Sequence, residues 1–333
     1  MTHAWNETLT VVDGFQVGHA EDRQGLTGVT VILCPEGAVG ALHARGGAIG
    51  GRQLAPLDPS HLVERVHGAM LCGGSAFGLA AADGAMRALE EQGVGFDMGG
   101  PIVPILPTAV IFDLKLGDGA IRPDAAMGRA AVRAASAAPV TQGCVGAGTG
   151  ASVGKILGVP CATKGGLGSA GAVFDDGLAV GAVAVVNAFG DVRDPDTGRL
   201  LAGARLGPQS RDFADTWHLA TTGQLPEPGG AEERPRGPEN TTLAVVATNA
   251  SLDAIALERV ARLAGDAFAR VLSPGGTQYD GDLVIALATG AVASEPHRVG
   301  LLAREALEVA LVRAVRRAEP LGGLPASRDL VKG

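Results

Sequence analysis

Aromatic side chains are scarce in this chain, at 3% of 333 residues, with one Tyr and two Trp. Hydrophobic residues still make up 46%, and Gly occurs 51 times. A core is therefore available, but it must be built from Ala, Val, Leu and Gly, whose small size lets backbones approach closely. Long Lys/Arg runs are also lacking and the formal net charge is −8, which argues against nucleic acid as a partner. The four cysteines, Cys34, Cys72, Cys144 and Cys161, form no C-x-x-C pair. Three of them sit in apolar or Gly-rich runs, so buried reduced thiols are expected. The seven His residues show no metal-ligand spacing. His43, His61 and His67 come nearest to a cluster and read as structural or surface groups. Neither a metal nor a cofactor is expected. Gly, Pro and charges interrupt every apolar stretch before it reaches membrane-spanning length. Met1–Glu7 has no basic start and no apolar run of leader length, so the expectation is a soluble cytoplasmic protein.

What is present is a series of strand and helix signals punctuated by Gly and Pro. The β-branched run Gly28–Cys34 reads as a strand ended by Pro35, with Ala38–Leu42 as its hairpin partner. Residues 44–52 are too Gly-rich for a regular element and read as a loop whose backbone approaches something closely. A strand at Ala69–Cys72 turns at Gly73-Gly74 into a helix reaching about Gln92, with Ser75 as its N-cap. Further strands are expected at Ala109–Phe112, Ser169–Phe174, Leu178–Ala188, Thr242–Thr248 and Leu283–Ala288. Further helices are expected from Pro123 to about Ala137, over Leu252–Leu272 and over Pro296–Ala318. From Pro226 to Glu239 the composition shifts to Pro, Gly and charge, a solvated linker within about residues 223–240. The whole reads as a single α/β domain over 1–333, sheets inside and helices outside, interrupted by that linker.

The linker runs into a strand at Asn240-Thr241. A hydroxyl at that point can attack the preceding carbonyl, and hydrolysis of the resulting ester frees an α-amine on the same residue. Such an amine has an ordinary pKa of roughly 7.7 to 8.0 and is a good general base near neutral pH. A liberated Thr241 thus carries nucleophile and base together. Taken alone, the same residues are also an ordinary Thr-rich strand start. Asp280-Gly281-Asp282 places two carboxylates on one side of an extended segment, to hold the Thr241 hydroxyl and amine or to share a proton. It is equally a turn into the next strand. The run Gly143–Gly154 lacks a phosphate-loop pattern, because Ile156 follows Lys155. It serves better as a bare backbone wall beside a site, with Lys155 as positive charge. Asn187 ends an apolar strand, where its side-chain N–H either faces an oxyanion or caps the strand. Ser75 is a rival nucleophile only in outline, since its surroundings miss the G-x-S-x-G spacing by one residue.

In combination and order these residues resemble the DmpA-like family, which comprises L-aminopeptidase/D-esterases, β-peptidyl aminopeptidases and nylon-oligomer hydrolases. The resemblance is carried by Ala44–Ala48, Gly73–Leu79 with Ala82-Asp83-Gly84, Val110–Leu114, Gly146–Ala151 through Lys155, Asn187, Asn240–Thr242 through Asn249, and Asp280–Asp282. It implies an αββα sandwich like that of N-terminal-nucleophile hydrolases, with its own connectivity. It also implies autocleavage into an α chain (1–240) and a β chain (241–333). Carried over by position, Thr241 is the nucleophile, Asp280 and Asp282 orient it, Lys155 tunes the amine, and Asn187 is an oxyanion donor. Phe112, Gly148 and Ser75 are candidates for the substrate pocket. A homo-oligomer, typically a tetramer, acting on a small peptide or amide is implied as well. Thr with two Asp residues looks more like the nylon-oligomer branch than the aminopeptidase branch, which usually has Ser as nucleophile with Ser and Glu at the acid positions. Some members of the nylon-oligomer branch have Tyr where this chain has Phe112, which leaves the substrate open between a peptide's amino end and an aminohexanoate oligomer.

Overall fold

The computed structural model describes residues 5–223 and 240–331. The body of the expected linker, residues 226–239, lies outside the described residues. The main strands are β1 (Gln16–Asp22), β2 (Thr27–Ala44), β3 (Arg65–Cys72), β4 (Thr108–Val110), β5 (Gly166–Val173), β6 (Ala179–Asn187), β7 (Thr241–Ala250) and β8 (Leu283–Val292). The main helices are α1 (Ala81–Glu91), α2 (Ala125–Ala134), α3 (Ala254–Val271) and α4 (Pro296–Arg316).

The hydrogen-bonded order is β5-β6-β7-β8-β2-β3-β4, with β1 also paired to β2. β7 and β8 run parallel, as do β3 and β4, while the other pairs are antiparallel. β2 replaces the expected hairpin. Its register against β3 slips between Leu33 and Ala38, and Gly37 takes a positive φ of 79° in that step. Pro35 falls in the same irregular stretch, where no regular ladder bond is demanded of it, so the strand continues past it. The first part of β2 pairs with β1 and β3, and the last part pairs with β8.

Residue alternation then builds four layers. Ala184, Val186, Ala244, Val246 and Val284 face one way, onto Val260, Phe268 and Leu311 of α3 and α4. Val183, Val185, Leu243, Val245 and Ile285 face the other way and meet Ile32, Ala69, Leu71 and Ile111 from the other half of the sheet path. Val29, Val31, Met70 and Cys72 in turn face Ala81, Ala85 and Leu89 of α1 and Ala131 of α2. The period-2 pattern thus fills two helix–sheet cores and one sheet–sheet core, the αββα arrangement. The small residues of α1 have the expected consequence. A Cβ on Gly84 would come 1.7 Å from the Ala125 carbonyl oxygen, so α1 and α2 touch backbone to backbone there.

The helix before α1 differs from expectation. Residues Ser75–Ala80 form a 3-10 turn capped by Gly74, and no side chain caps it. Ser75 has φ of +54°, outside the extended conformation that an N-cap needs. All four cysteines are free and buried. His67 is buried and accepts the Ile105 N–H, and His61 is exposed.

Candidate active site

Three neighbouring strands bring the chemistry together. β6 ends on Asn187, whose Cα partner across the antiparallel ladder is Thr241, the first residue of β7. On the other side Asn240 forms a parallel bridge with Asp280, just before β8. Asn187, Asn240, Thr241, Asp280 and Asp282 are all buried. The apolar runs of the central strands fix this convergence. Each must stay in register to bury its alternating faces, so the polar residues at their ends are carried to one edge.

The carbonyl of the Asn240–Thr241 peptide is doubly engaged. The Thr241 hydroxyl donates to the Asn240 carbonyl oxygen at 2.5 Å, and the Gly281 N–H donates to the same oxygen at 2.8 Å. The hydroxyl therefore lies against the carbonyl it would attack. The Gly281 N–H occupies the position of a donor to an oxyanion formed there. Sequence reasoning gave Gly281 no role of its own, although it lies between the two acids. Its lack of a side chain is required, because a Cβ there would come 2.6 Å from Ala48 O and 2.8 Å from Thr241 Oγ1.

The two acids flank Thr241 without binding its hydroxyl. Asp282 accepts the Thr242 N–H at 2.5 Å on Oδ1 and the Gly276 N–H at 2.9 Å on Oδ2. Burial, and then the charge of Asp280, push its pKa up to about 7. Asp280 accepts the Phe189 N–H at 3.2 Å, the Thr277 N–H at 3.0 Å and the Thr277 hydroxyl at 2.5 Å. Burial raises its pKa as well, opposed by those hydrogen bonds and by the charge of Lys155. Burial disfavours the charged form of both, and the Asp280 charge adds to that cost at Asp282, so Asp282 is the one favoured to hold a proton.

Lys155 is buried, and its ammonium donates to the Asn187 carbonyl at 2.9 Å and to Asn187 Oδ1 at 2.7 Å. Asn187 Oδ1 also accepts the Ser152 N–H at 3.0 Å, while Nδ2 donates to the Phe112 carbonyl at 3.0 Å. In the uncleaved chain the Asn187 amide is thus a clamp on Lys155, and the donor on the Asn240 carbonyl is Gly281 instead.

A small recess beside this cluster is lined by Phe112, Lys115, Gly150, Ser152 and Lys155 among others. Gly148 is not among them. It is buried inside the loop packing, where a Cβ would come 2.5 Å from the Leu167 nitrogen. The glycine facing the recess is Gly150. Ser75 is a turn residue whose N–H donates to Ile111 O at 2.9 Å, and it is not among the residues lining the recess. Behind the wall, Lys164 is fully buried and donates to the carbonyls of Gly148 (3.2 Å), Ala151 (2.5 Å) and Gly165 (3.0 Å). Its residue type carried no recognisable spacing in the sequence. Among the described residues no three His, Cys, Asp or Glu groups converge as metal ligands.

Residues 7–327 match the description Peptidase family S58. A Mycobacterium bovis protein named an uncharacterized aminopeptidase is 41% identical, with 98% of each chain covered. A Kocuria protein named 6-aminohexanoate-oligomer endohydrolase is 32% identical, covering 83% of this chain and 73% of its own. Among solved structures, the L-aminopeptidase D-Ala-esterase/amidase of Ochrobactrum anthropi, described as a variant of the Ntn hydrolase fold, superposes with a TM-score of 0.69. That match has 20% identity and covers 98% of this chain and 90% of the other.

Proposed function

The chain belongs to peptidase family S58 and is a hydrolase of peptide or amide bonds, and from that premise we propose that it cuts itself at Asn240–Thr241 and then works as an aminopeptidase through the freed Thr241. The observation that carries this reading is the shared carbonyl. The Thr241 hydroxyl and the Gly281 N–H meet on the oxygen of Asn240, so attack and charge stabilisation are arranged around one bond.

In the first reaction Thr241 Oγ1 bonds to the Asn240 carbonyl carbon and gives up its proton, and the oxyanion rests on the Gly281 N–H. The C–N bond breaks as the Thr241 nitrogen takes a proton, leaving an ester. Water then cleaves the ester to an Asn240 carboxylate and a Thr241 with free amine and hydroxyl. Asp282, one residue beyond that nitrogen through its bond to Thr242 N–H, titrates near neutrality and is suited to relay the proton. In the second reaction the same oxygen attacks a substrate acyl carbon, with the Thr241 amine as base. Lys155, held by Asn187, disfavours a second positive charge and so helps keep that amine neutral. Asp280 braces the turn that presents Gly281.

The mature form in this reading is a chain of residues 1–240 and a chain of residues 241–333, assembled as a homo-oligomer, with a tetramer implied by the resemblance. The cytoplasm is the proposed location. Among the described residues no helix is long and apolar enough to cross a membrane. Its substrates are small peptides, amides or esters, opened at the N-terminal residue. A second reading, endo-hydrolysis of 6-aminohexanoate oligomers, is favoured by the relative of that name and by the Thr, Asp and Asp set. Intact mass spectrometry tests the cut, which predicts a fragment beginning at Thr241. A panel of aminoacyl anilides and aminohexanoate oligomers then separates the two substrates. A chain that remains at 33.3 kDa and hydrolyses none of them refutes the proposal.

A further inference from the structure

The recess beside Asn187 holds groups that the two proposed reactions leave unused. Ser152 lines it and is 3% exposed. The Ser152 N–H is spent on Asn187 Oδ1 at 3.0 Å, but its hydroxyl has no hydrogen-bond partner among the described residues. A nearly buried hydroxyl left in that state is a net cost until something binds it. Two cationic residues line the same space, Lys115 and Lys155, the second with its ammonium on Asn187. The acid that also lines it, Asp113, has both oxygens committed: Oδ1 accepts the Gly74 N–H at 2.7 Å and Oδ2 the Thr27 hydroxyl at 2.8 Å. Burial raises its pKa, so its charge is disfavoured. The enclosed space is about 10 Å3, room for one water-sized polar group and not for a side chain.

We propose that this recess receives a carboxylate carried by the leaving part of the substrate, so that short peptides with a free carboxylate one residue beyond the scissile bond are preferred. A carboxylate oxygen fits the space, accepts from the Ser152 hydroxyl and brings negative charge to two lysines. A substrate amine is the wrong guest, because it adds a third cation. In an aminopeptidase the amine belongs to the acyl part, which stays on Thr241, and the recess is left to the part that departs. The reach is short. Asn187 is the Cα partner of Thr241 on the next strand, and neighbouring strands lie about 4.8 Å apart. The carbon of an α-carboxylate stands two bonds, roughly 2.5 Å, beyond the scissile nitrogen. The net charge of −8 disfavours anions over the molecule as a whole, so a preference for a carboxylate must arise locally, at this pair of lysines. This inference rests on the reading of Thr241 as the nucleophile of an aminopeptidase and adds what its leaving group carries.

The test uses the purified, self-processed two-chain protein and two substrates that differ only at that group, L-alanyl-glycine and L-alanyl-glycinamide. The quantity read is the ratio of their kcat/KM values, so that a general loss of activity in a variant cancels. The free acid is expected to exceed the amide by about tenfold or more, as for a hydrogen bond to a charged group. Added salt should shrink the ratio. Lys115→Met should bring it close to one, Lys115→Arg should keep it, and Ser152→Ala should lower it by a smaller factor. Equal hydrolysis of acid and amide by the parent, or a ratio unchanged in both Lys115→Met and Ser152→Ala, overturns the inference and leaves the nucleophile standing. So does a chain that cuts itself and hydrolyses L-alanyl-4-nitroanilide but neither dipeptide. A chain that stays uncut and hydrolyses none of the three overturns the nucleophile as well.

Discussion

Gly281→Ala is the sharpest probe of the shared carbonyl. The added methyl would come 2.6 Å from Ala48 O and 2.8 Å from Thr241 Oγ1. Both distances are inside van der Waals contact, so something must move. Ala48 cannot yield freely, because its own N–H is bonded to Asp280 O at 3.0 Å. Relief must come from the Thr241 hydroxyl or from a tilt of the Gly281 peptide away from Asn240 O. Either movement spoils the pairing of nucleophile and donor. Loss of one oxyanion donor costs a factor of about 10² to 10³ in rate. Overpacking adds about 1–3 kcal/mol of destabilisation. The assay is a time course of fragment appearance on a denaturing gel, with intact mass at each point and thermal unfolding of the same samples. Gly207→Ala is the control, since a Cβ there meets nothing within 4 Å. A Gly281→Ala chain that splits at the parent rate refutes the arrangement described here.

Thr241→Ala should remain a single 33.3 kDa chain with no amidase activity, whereas Thr241→Ser should still split; mass spectrometry reads both. Asp282 has its folded-state pKa raised to about 7 from 3.8, so its protonated form is favoured by folding. The stability it contributes is complete below about pH 4 and lost as pH rises through about 7. Asp282→Asn should therefore show a smaller fall in Tm between pH 4 and pH 7 than the parent, measured by calorimetry. The same substitution should remove the rise in self-cleavage rate through about pH 7 if Asp282 relays the proton. Lys164→Met leaves three buried carbonyls without their donor and should cost about 3 kcal/mol in urea denaturation.

The candidate site residues were ambiguous one by one and were assembled by the resemblance, but several of them sit at the ends of strongly patterned strands. Asn187 ends one apolar run and Thr241 begins another, but that the two pair across neighbouring strands is seen only in the structure. The main helices and central strands were legible from that patterning, whereas the four αββα layers were expected only from the resemblance. The hairpin assigned to residues 28–42 failed because Pro35 looks like a stop. It proved to sit in a bulge, a feature that depends on the partner strand. Ser75 matched an N-cap by residue type, but the positive φ of Gly74 and Ser75 comes from the tight turn over Ile111. Gly148 and Gly150 cannot be told apart by sequence, since which one faces the recess is set by packing against β5. The direction of the Asn187 amide was equally hidden. It depends on Ser152 and Lys155, from one segment, and on the Phe112 carbonyl from another.

The strand order β5-β6-β7-β8-β2 has a consequence for the proposed cut at Asn240–Thr241. β7 and β8 belong to the segment after Asn240, yet they lie between β6 and β2, which both precede it. Breaking that one peptide bond would therefore create two polypeptides that are interleaved, not docked side by side. Neither can leave without surrendering hydrogen-bond ladders on both flanks and the helix-covered core above them. Fragment exchange between molecules should be as slow as global unfolding. Reassembly from separated halves would have no intact sheet to build on, so a cut at this bond would be a one-way event tying the working lifetime to a single kinetic barrier.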